Sequence, residues 1–299
     1  MKRKLVKQGA ATMMVSLPAK WIKQNNLKKG SEIDIEEKET DLLISAKPIE
    51  IKKQTEIKLA NLTETSVRTL INNTYRSGYD RIKVSFQTEN QFKILGEVIK
   101  TRLIGFEIIK REKDSCIVEN VTEPSSEKFD TILQKMFFSI SELFAITKDR
   151  LENPKEEYSY KQAEERIQRY DNFCRRIIIK QKLTNIKAAF LWGFLAQISY
   201  GQRQLYHLNN VLKKGLIISD KTKQLLEDIK KMFEIIKNVY ISKNVDDLGE
   251  VHKLNKELIK KTYSLLQQKQ GKENIILHHI MMSIRSFYQS NSPLSGFII

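Results

Sequence analysis

The 299 residues carry 52 Lys and Arg against 36 Asp and Glu, a net charge of +16, with 40% of positions apolar. That length supports two or three folded domains, and that charge favours an anionic partner without choosing among nucleic acid, an acidic protein surface and phosphate. No apolar run approaches the roughly 20 residues that a membrane-spanning helix needs, and the polar start does not read as a signal peptide, so no membrane insertion and a cytoplasmic location are expected.

The charge is uneven from the first residue. Lys2, Arg3, Lys4, Lys7, Lys20, Lys23, Lys28 and Lys29 precede any acid, and then Glu32, Asp34, Glu36, Glu37, Glu39 and Asp41 follow with Lys38 alone among them. Such a block inside a folding segment focuses positive potential. Lys2 to Lys7 reads as a short extended piece, and Gly9 supplies a turn residue free to take positive φ. Thr12 to Leu17 alternates Met13, Val15 and Leu17 as a strand does. Pro18 suits the opening turn of a short helix, Ala19 to Asn25. Asn25-Asn26 ends it, Leu27 to Gly30 turns the chain, and Ile33 and Ile35 alternate with acids in a third strand. Leu42 to Ser45 makes a fourth after a turn at Thr40-Asp41. Fewer than fifty residues in this order cannot bury a core alone, so pairing with a second copy is expected.

Gly9, Thr12, Val15-Ser16-Leu17-Pro18, Trp21, Leu27-Lys28-Lys29-Gly30 and the acidic third strand resemble the SpoVT/AbrB swapped-hairpin domain, here spanning residues 1–48. The resemblance implies a homodimer with interleaved hairpins and DNA contact by Lys2, Arg3, Lys4 and Lys7, with Thr12 bonding a phosphate. Lysine is a point charge on phosphate rather than a bidentate base reader, so affinity is better supported than sequence reading. The competing reading makes these lysines a solvated strand face. Some members of that family are antitoxins whose hairpins bind protein.

Residues 49–123 read as a small α+β domain. Strands are expected at Thr55–Ala60 and at Arg81–Phe86, where Ile82, Val84 and Phe86 point inward. Phe106–Ile109 and Ser115–Val118 form a hairpin. Helices at Glu64–Ser77 and Gln91–Leu103 end at Gly78 and Gly105, giving two helices on one face of a four-stranded sheet. With no Gly-rich phosphate loop, its reading is a spacer or dimerisation domain.

From Ser125 the apolar period becomes 3.6. Phe129, Ile132, Leu133, Met136, Phe137, Ile140, Leu143 and Phe144 stripe a first helix that Asn153-Pro154 stops. A second spans about Glu156–Lys182. A third spans Asn185–Lys214, with Lys213-Lys214 in its last turn and Gly215 as its cap. A fourth starts near Ser219, a fifth near Asn244, and a sixth runs from Gly271 to about Gln289. Residues 124–290 are therefore read as two three-helix bundles in tandem, and 291–299 as a tail with an apolar end at Gly296–Ile299. The fold class is multidomain α+β: a swapped-hairpin β head, an α+β middle and an all-α body.

The helix count and lengths, with the segment Ala163–Arg176, resemble the archaeal PhoU-like phosphate uptake regulators. The resemblance implies a cytoplasmic dimer tuning phosphate uptake, on DNA or as an adaptor contacting a transporter ATPase or kinase. It also implies acidic stripes holding divalent or ferric metal. Glu164 and Asp171 are seven apart, and Glu250 and Glu257 repeat that spacing with Asp247 one turn earlier. Gln168 and Leu254 stand where a middle acid is wanted, and hard cations need several converging oxygens, so a solvated helix face competes with a metal site. Residues 172–219 contain no acid, and Arg175 and Arg176 are read as a contact for an acidic partner or as an added DNA surface. The four histidines, His207, His252, His278 and His279, lack metal spacing, and Cys116 and Cys174 read as buried thiols. Without a catalytic constellation an enzyme is not expected.

Overall fold

The computed structural model describes residues 2–9, 12–38, 41–46, 52–59, 63–122, 124–153, 159–180, 186–212 and 216–299. It divides into two compact units, Met1–Lys52 and Lys53–Ile299.

The first unit holds two antiparallel hairpins and one short helix. Strands β1 (Val6–Gln8) and β2 (Thr12–Met14) pair, as do β3 (Ile33–Lys38) and β4 (Asp41–Ala46), in separate two-stranded sheets. Gly9 takes φ 77° between the first pair, where a side chain would be strained. Helix α1 (Ala19–Gln24) starts after Pro18, which is extended at φ −63° and ψ 126°. It ends as the asparagine pair predicts. Asn26 is left-handed at φ 52°, its N–H donates to the Lys23 carbonyl, and the Leu27 N–H donates to the Ile22 carbonyl, which is a Schellman closure with Asn in glycine's place. Among the unit's residues whose side chains are described, none is fully buried.

The second unit begins with a four-stranded sheet. Strands β5 (Gln54–Lys58), β6 (Arg81–Ser85), β7 (Phe106–Arg111) and β8 (Ser115–Asn120) stand in the order β5-β6-β8-β7, with β5 and β6 parallel and the other pairs antiparallel. Helix α2 (Glu64–Arg76) follows β5. Helix α3 (Glu89–Arg102) follows β6 and opens with a capping box between Thr88 and Gln91, two residues earlier than the apolar pattern suggests. Ile82, Val84 and Phe86 face the helices as predicted, packed with Leu59, Val67, Ile71, Tyr75, Leu95 and Val98. Cys116 lies in this core, and burial pushes its thiol up to about 11.

Long helices α4 (Phe129–Glu152), α5 (Ser159–Lys180), α6 (Ile186–Val211), α7 (Asp220–Ser242), α8 (Leu248–Gln268) and α9 (Lys272–Gln289) follow. Helices α4, α5 and α6 touch one another, and so do α7, α8 and α9. The two triplets are not separate bundles. Helices α6 and α9 form the most extensive helix contact, and the buried apolar residues of all six make one continuous core. Gly201 permits that approach: a Cβ there would lie 2.6 Å from the Phe287 ring. Cys174 sits in the same core, its thiol raised by burial. The 291–299 tail is helical over α10 (Asn291–Ile298), packed chiefly on α6 with Leu294 buried. The stop at Pro154, the boundary at Pro48 and the cap of Lys213, Lys214 and Gly215 lie outside the described residues. No described helix is long and apolar enough to cross a membrane.

Candidate nucleic-acid interface

Lys2, Arg3, Lys4 and Lys7 are all exposed, and so are Lys20 and Lys23 on α1 and Lys28 and Lys29 in the following turn. That turn is pinned by Gly30 at φ 86°, by the Ser31 N–H donating to the Lys28 carbonyl, and by the Lys28 N–H donating to Ser31 Oγ at 2.9 Å. All eight early cations are therefore on the surface of one small unit.

The register refines the predicted DNA-binding set. In β1–β2, Lys7 stands opposite Met13, Gln8 opposite Thr12 and Val6 opposite Met14. Residues directly opposite share a face and neighbours along a strand alternate. Lys7 and Thr12 therefore project to opposite faces of the ribbon, which spacing alone does not reveal.

Apolar side chains accompany the charge. Leu5, Val6, Met13 and Met14 are exposed at 66%, 57%, 60% and 45%, and in β3–β4 Ile35 and Leu42 are exposed at 58% and 61%. Ile35 pairs with Ile44, and Leu42 lies two residues from Ile44, so these three share one face. Fully covering one such side chain is worth about 1.5–3 kcal/mol, so the hairpins present unused hydrophobic area beside the cations.

The candidate metal and partner residues lie elsewhere. Glu164 and Asp171 are buried on α5, and arginines from the ends of α2 and α3 and from α5 itself meet them. Arg102 pairs with Glu164 at 3.0 Å. Arg76 reaches Asp171 at 3.0 Å, and Arg175 donates to both oxygens of Asp171 at 3.0 and 2.9 Å. Guanidinium groups thus occupy the position the metal reading gives to a cation. Glu250 pairs with Lys231 at 3.4 Å, and Glu257 with Lys261 at 2.8 Å. Asp247 is the exposed N-cap of α8. Among the described residues no group of three or more His, Cys, Asp and Glu is placed to hold a metal ion.

Arg175 and Arg176 do not form an outward patch. Arg175 is spent on Asp171, with its guanidinium 4.7 Å from the Trp192 ring. Arg176 is fully buried and donates to the Tyr75 and Tyr79 carbonyls and to Asp80. Their acidic partners belong to the same chain. The sequence reading missed Arg76, Asp80 and Arg102 as the residues joining the sheet layer to α5. The adjacent pair Arg175-Arg176, followed directly by Ile177-Ile178-Ile179, was the available sign that these charges meet something internal.

Residues 6–54 match the family model described as antidote-toxin recognition MazE, bacterial antitoxin. No curated protein and no solved structure matches the chain. The first unit thus carries a MazE/AbrB-like domain, a small part of the chain, and everything after residue 54 stands on its own geometry.

Proposed function

We propose that the protein is a dimeric DNA-binding transcriptional regulator whose N-terminal hairpins contact the duplex. The observation that carries this reading is the coincidence, in one MazE/AbrB-like unit, of eight exposed cations with hairpin faces whose apolar residues are uncovered. A second copy covering Ile35, Leu42 and Ile44 would supply the missing core and set two cationic edges side by side. Phosphate contact by lysine then provides affinity, and geometry sets the register.

The finer proposal is that the regulated process is phosphate uptake, with the helical body relaying phosphate status. It rests on six long helices arranged as two mutually touching triplets, in line with the PhoU-like resemblance. A second reading has its own support. The matched family is described by recognition of a toxin, and an apolar, cationic hairpin also suits an acidic protein. A separate rival is a signalling adaptor that never touches DNA, in which the head only dimerises and the basic body contacts a transporter ATPase or kinase.

The test is binding to a labelled duplex of the protein's own promoter against random duplex. If about six phosphates are neutralised per dimer, affinity falls roughly a thousandfold between about 50 and 200 mM salt. Promoter preference that persists as salt rises, and is lost when Lys2, Arg3, Lys4 and Lys7 become Ala, supports the regulator. No binding at low salt removes it and leaves the protein-binding reading.

A further inference from the structure

We propose that the cleft between α7 and α8 is a docking site for an acidic amphipathic helix of a partner protein. The cleft encloses about 450 Å³ and is lined by Lys221, Gln224, Leu225 and Asp228 of α7 and by Lys260, Lys261, Ser264, Leu265 and Gln268 of α8. The α7 residues fall at i, i+3, i+4 and i+7, so they form one stripe along the helix. The α8 residues form the facing stripe.

The order of charge along the cleft selects the occupant. Lys261 bonds Asp228 at 3.4 Å, which fixes the antiparallel alignment and sets Lys260 and Lys261 at one end. Lys221 is seven residues before Asp228 and marks the other end, about 10 Å away at 1.5 Å per residue. Leu225 and Leu265 lie between, almost covered, so the floor is apolar. Three lysines line the cleft against the single carboxylate of Asp228. Lys261 already serves Asp228 and Glu257, whereas among the described residues Lys221 and Lys260 are in no ion pair. Two available cations two turns apart, with an apolar floor between them, complement a helix bearing carboxylates at i and i+7 and an apolar residue at i+3 or i+4. A second copy of this surface is excluded as the occupant, because lysine would meet lysine.

The site is independent of the hairpins and adds a protein partner to the regulator reading. The probe is a labelled peptide of about 18 residues, long enough to hold a helix, with Glu at i and i+7 and Leu at i+3 and i+4. Binding to the full-length protein is measured by fluorescence anisotropy, beside a scrambled peptide of the same composition. The site predicts saturable binding that Lys221→Glu with Lys260→Glu weakens roughly tenfold or more, while promoter binding is unchanged. It also predicts that the scrambled peptide binds at least roughly tenfold more weakly, because it cannot place both acids and the leucine together. Equal binding of the two peptides, or equal binding by protein and variant, overturns the proposal. Failure to bind the peptide, together with charge-dependent binding to phosphatidylglycerol vesicles that the same variant loses, overturns it in favour of a lipid surface.

Discussion

Arg176 Nη2 donates to Asp80 Oδ1 at 2.5 Å, across 96 residues of sequence. The arginine is on α5 and the aspartate sits just before β6, so this bond joins the helical body to the sheet layer. The Tyr75 and Tyr79 carbonyls accept from Arg176 Nη1 at 3.0 and 2.7 Å, and Lys180 Nζ reaches the same carboxylate at 2.9 Å. Burial alone would raise the Asp80 pKa, but the hydrogen bond and charge of Lys180 and the charge of Arg176 outweigh it and hold it below the ordinary carboxylate value.

The two partners of this bond are not equally replaceable. Asp80→Ala leaves a buried guanidinium short of its counter-charge and is expected to cost about 3 kcal/mol. Arg176→Met removes the charge, keeps much of the packing and leaves Asp80 with Lys180, so a cost nearer 1–2 kcal/mol is expected. Chemical denaturation of the two variants at pH 7 decides. Because the folded pKa of Asp80 is depressed, its contribution is present above its ordinary value of 3.8 and fades as pH falls through the lower folded value. The difference between wild type and Asp80→Ala should therefore shrink only in strong acid.

Glycine substitutions separate packing from propensity. Gly201→Ala drives a Cβ to 2.6 Å from the Phe287 ring at the α6–α9 contact. Overpacking of that kind costs roughly 1–3 kcal/mol, more than the gain of about 1 kcal/mol from a better helix former. Gly96, in the middle of α3, meets nothing within 4 Å of an added Cβ. Gly96→Ala should raise stability by about 0.5–1 kcal/mol. Thermal melts of the two variants shifting in the same direction would contradict the α6–α9 geometry.

Local chemistry was legible where local forces decide. Asn25-Asn26 announced the end of α1, Gly9 announced positive φ, Gly78 announced the end of α2, and the 3.6 period announced the long helices. The seven-residue spacing of Glu164 and Asp171 correctly put both on one stripe of α5. What that stripe faces is set by residues about 60 to 95 positions away, Arg102 and Arg76, which spacing cannot reveal. The same blindness turned Arg175 and Arg176 outward. Helix α10 is not foreseen, and residues 291–299, which include Pro293 and Gly296, read as a tail. Pro293 stands in the first turn, where its missing N–H costs nothing, and Gly296 makes room for the Phe190 ring.

Glu273 tests how α7 begins. Its Oε1 accepts from the Ser219 N–H at 3.1 Å, Ser219 Oγ at 2.5 Å and Thr222 Oγ1 at 2.7 Å, so a side chain of α9 does the capping that Ser219 does not do for itself. Glu273→Ala is expected to cost about 1–2 kcal/mol. Hydrogen exchange should show the added opening concentrated at the first turn of α7 rather than spread through the body.

His279 stacks on His207 at 5.8 Å between ring centres, and its Nδ1 lies 3.0 Å from Gln204 Oε1. Burial, then His278 and His207, push its pKa down from 6.5 to about 4. The unfolded chain therefore takes up this proton first as pH falls, and stability declines between about 6.5 and about 4, then levels. Imidazole titration by NMR should find His279 titrating near the lower value. His279→Asn should flatten the stability profile across that interval.

The register of β1–β2 makes the sharpest prediction for the hairpins. Lys7 and Thr12 project to opposite faces, so a duplex meeting one face of the ribbon contacts one of them and not the other. If Lys7 meets phosphate in both protomers of a dimer, Lys7→Ala removes two contacts and lowers the magnitude of the salt slope by about 2. Thr12→Ala then leaves the slope unchanged, because a hydroxyl releases no counterion and faces away. Equal slopes for Lys7→Ala and wild type, with affinity lost in Thr12→Ala, would place the duplex on the Gln8 face instead. The phosphate contacts would then have to come from Lys2, Arg3 and Lys4, ahead of the first strand.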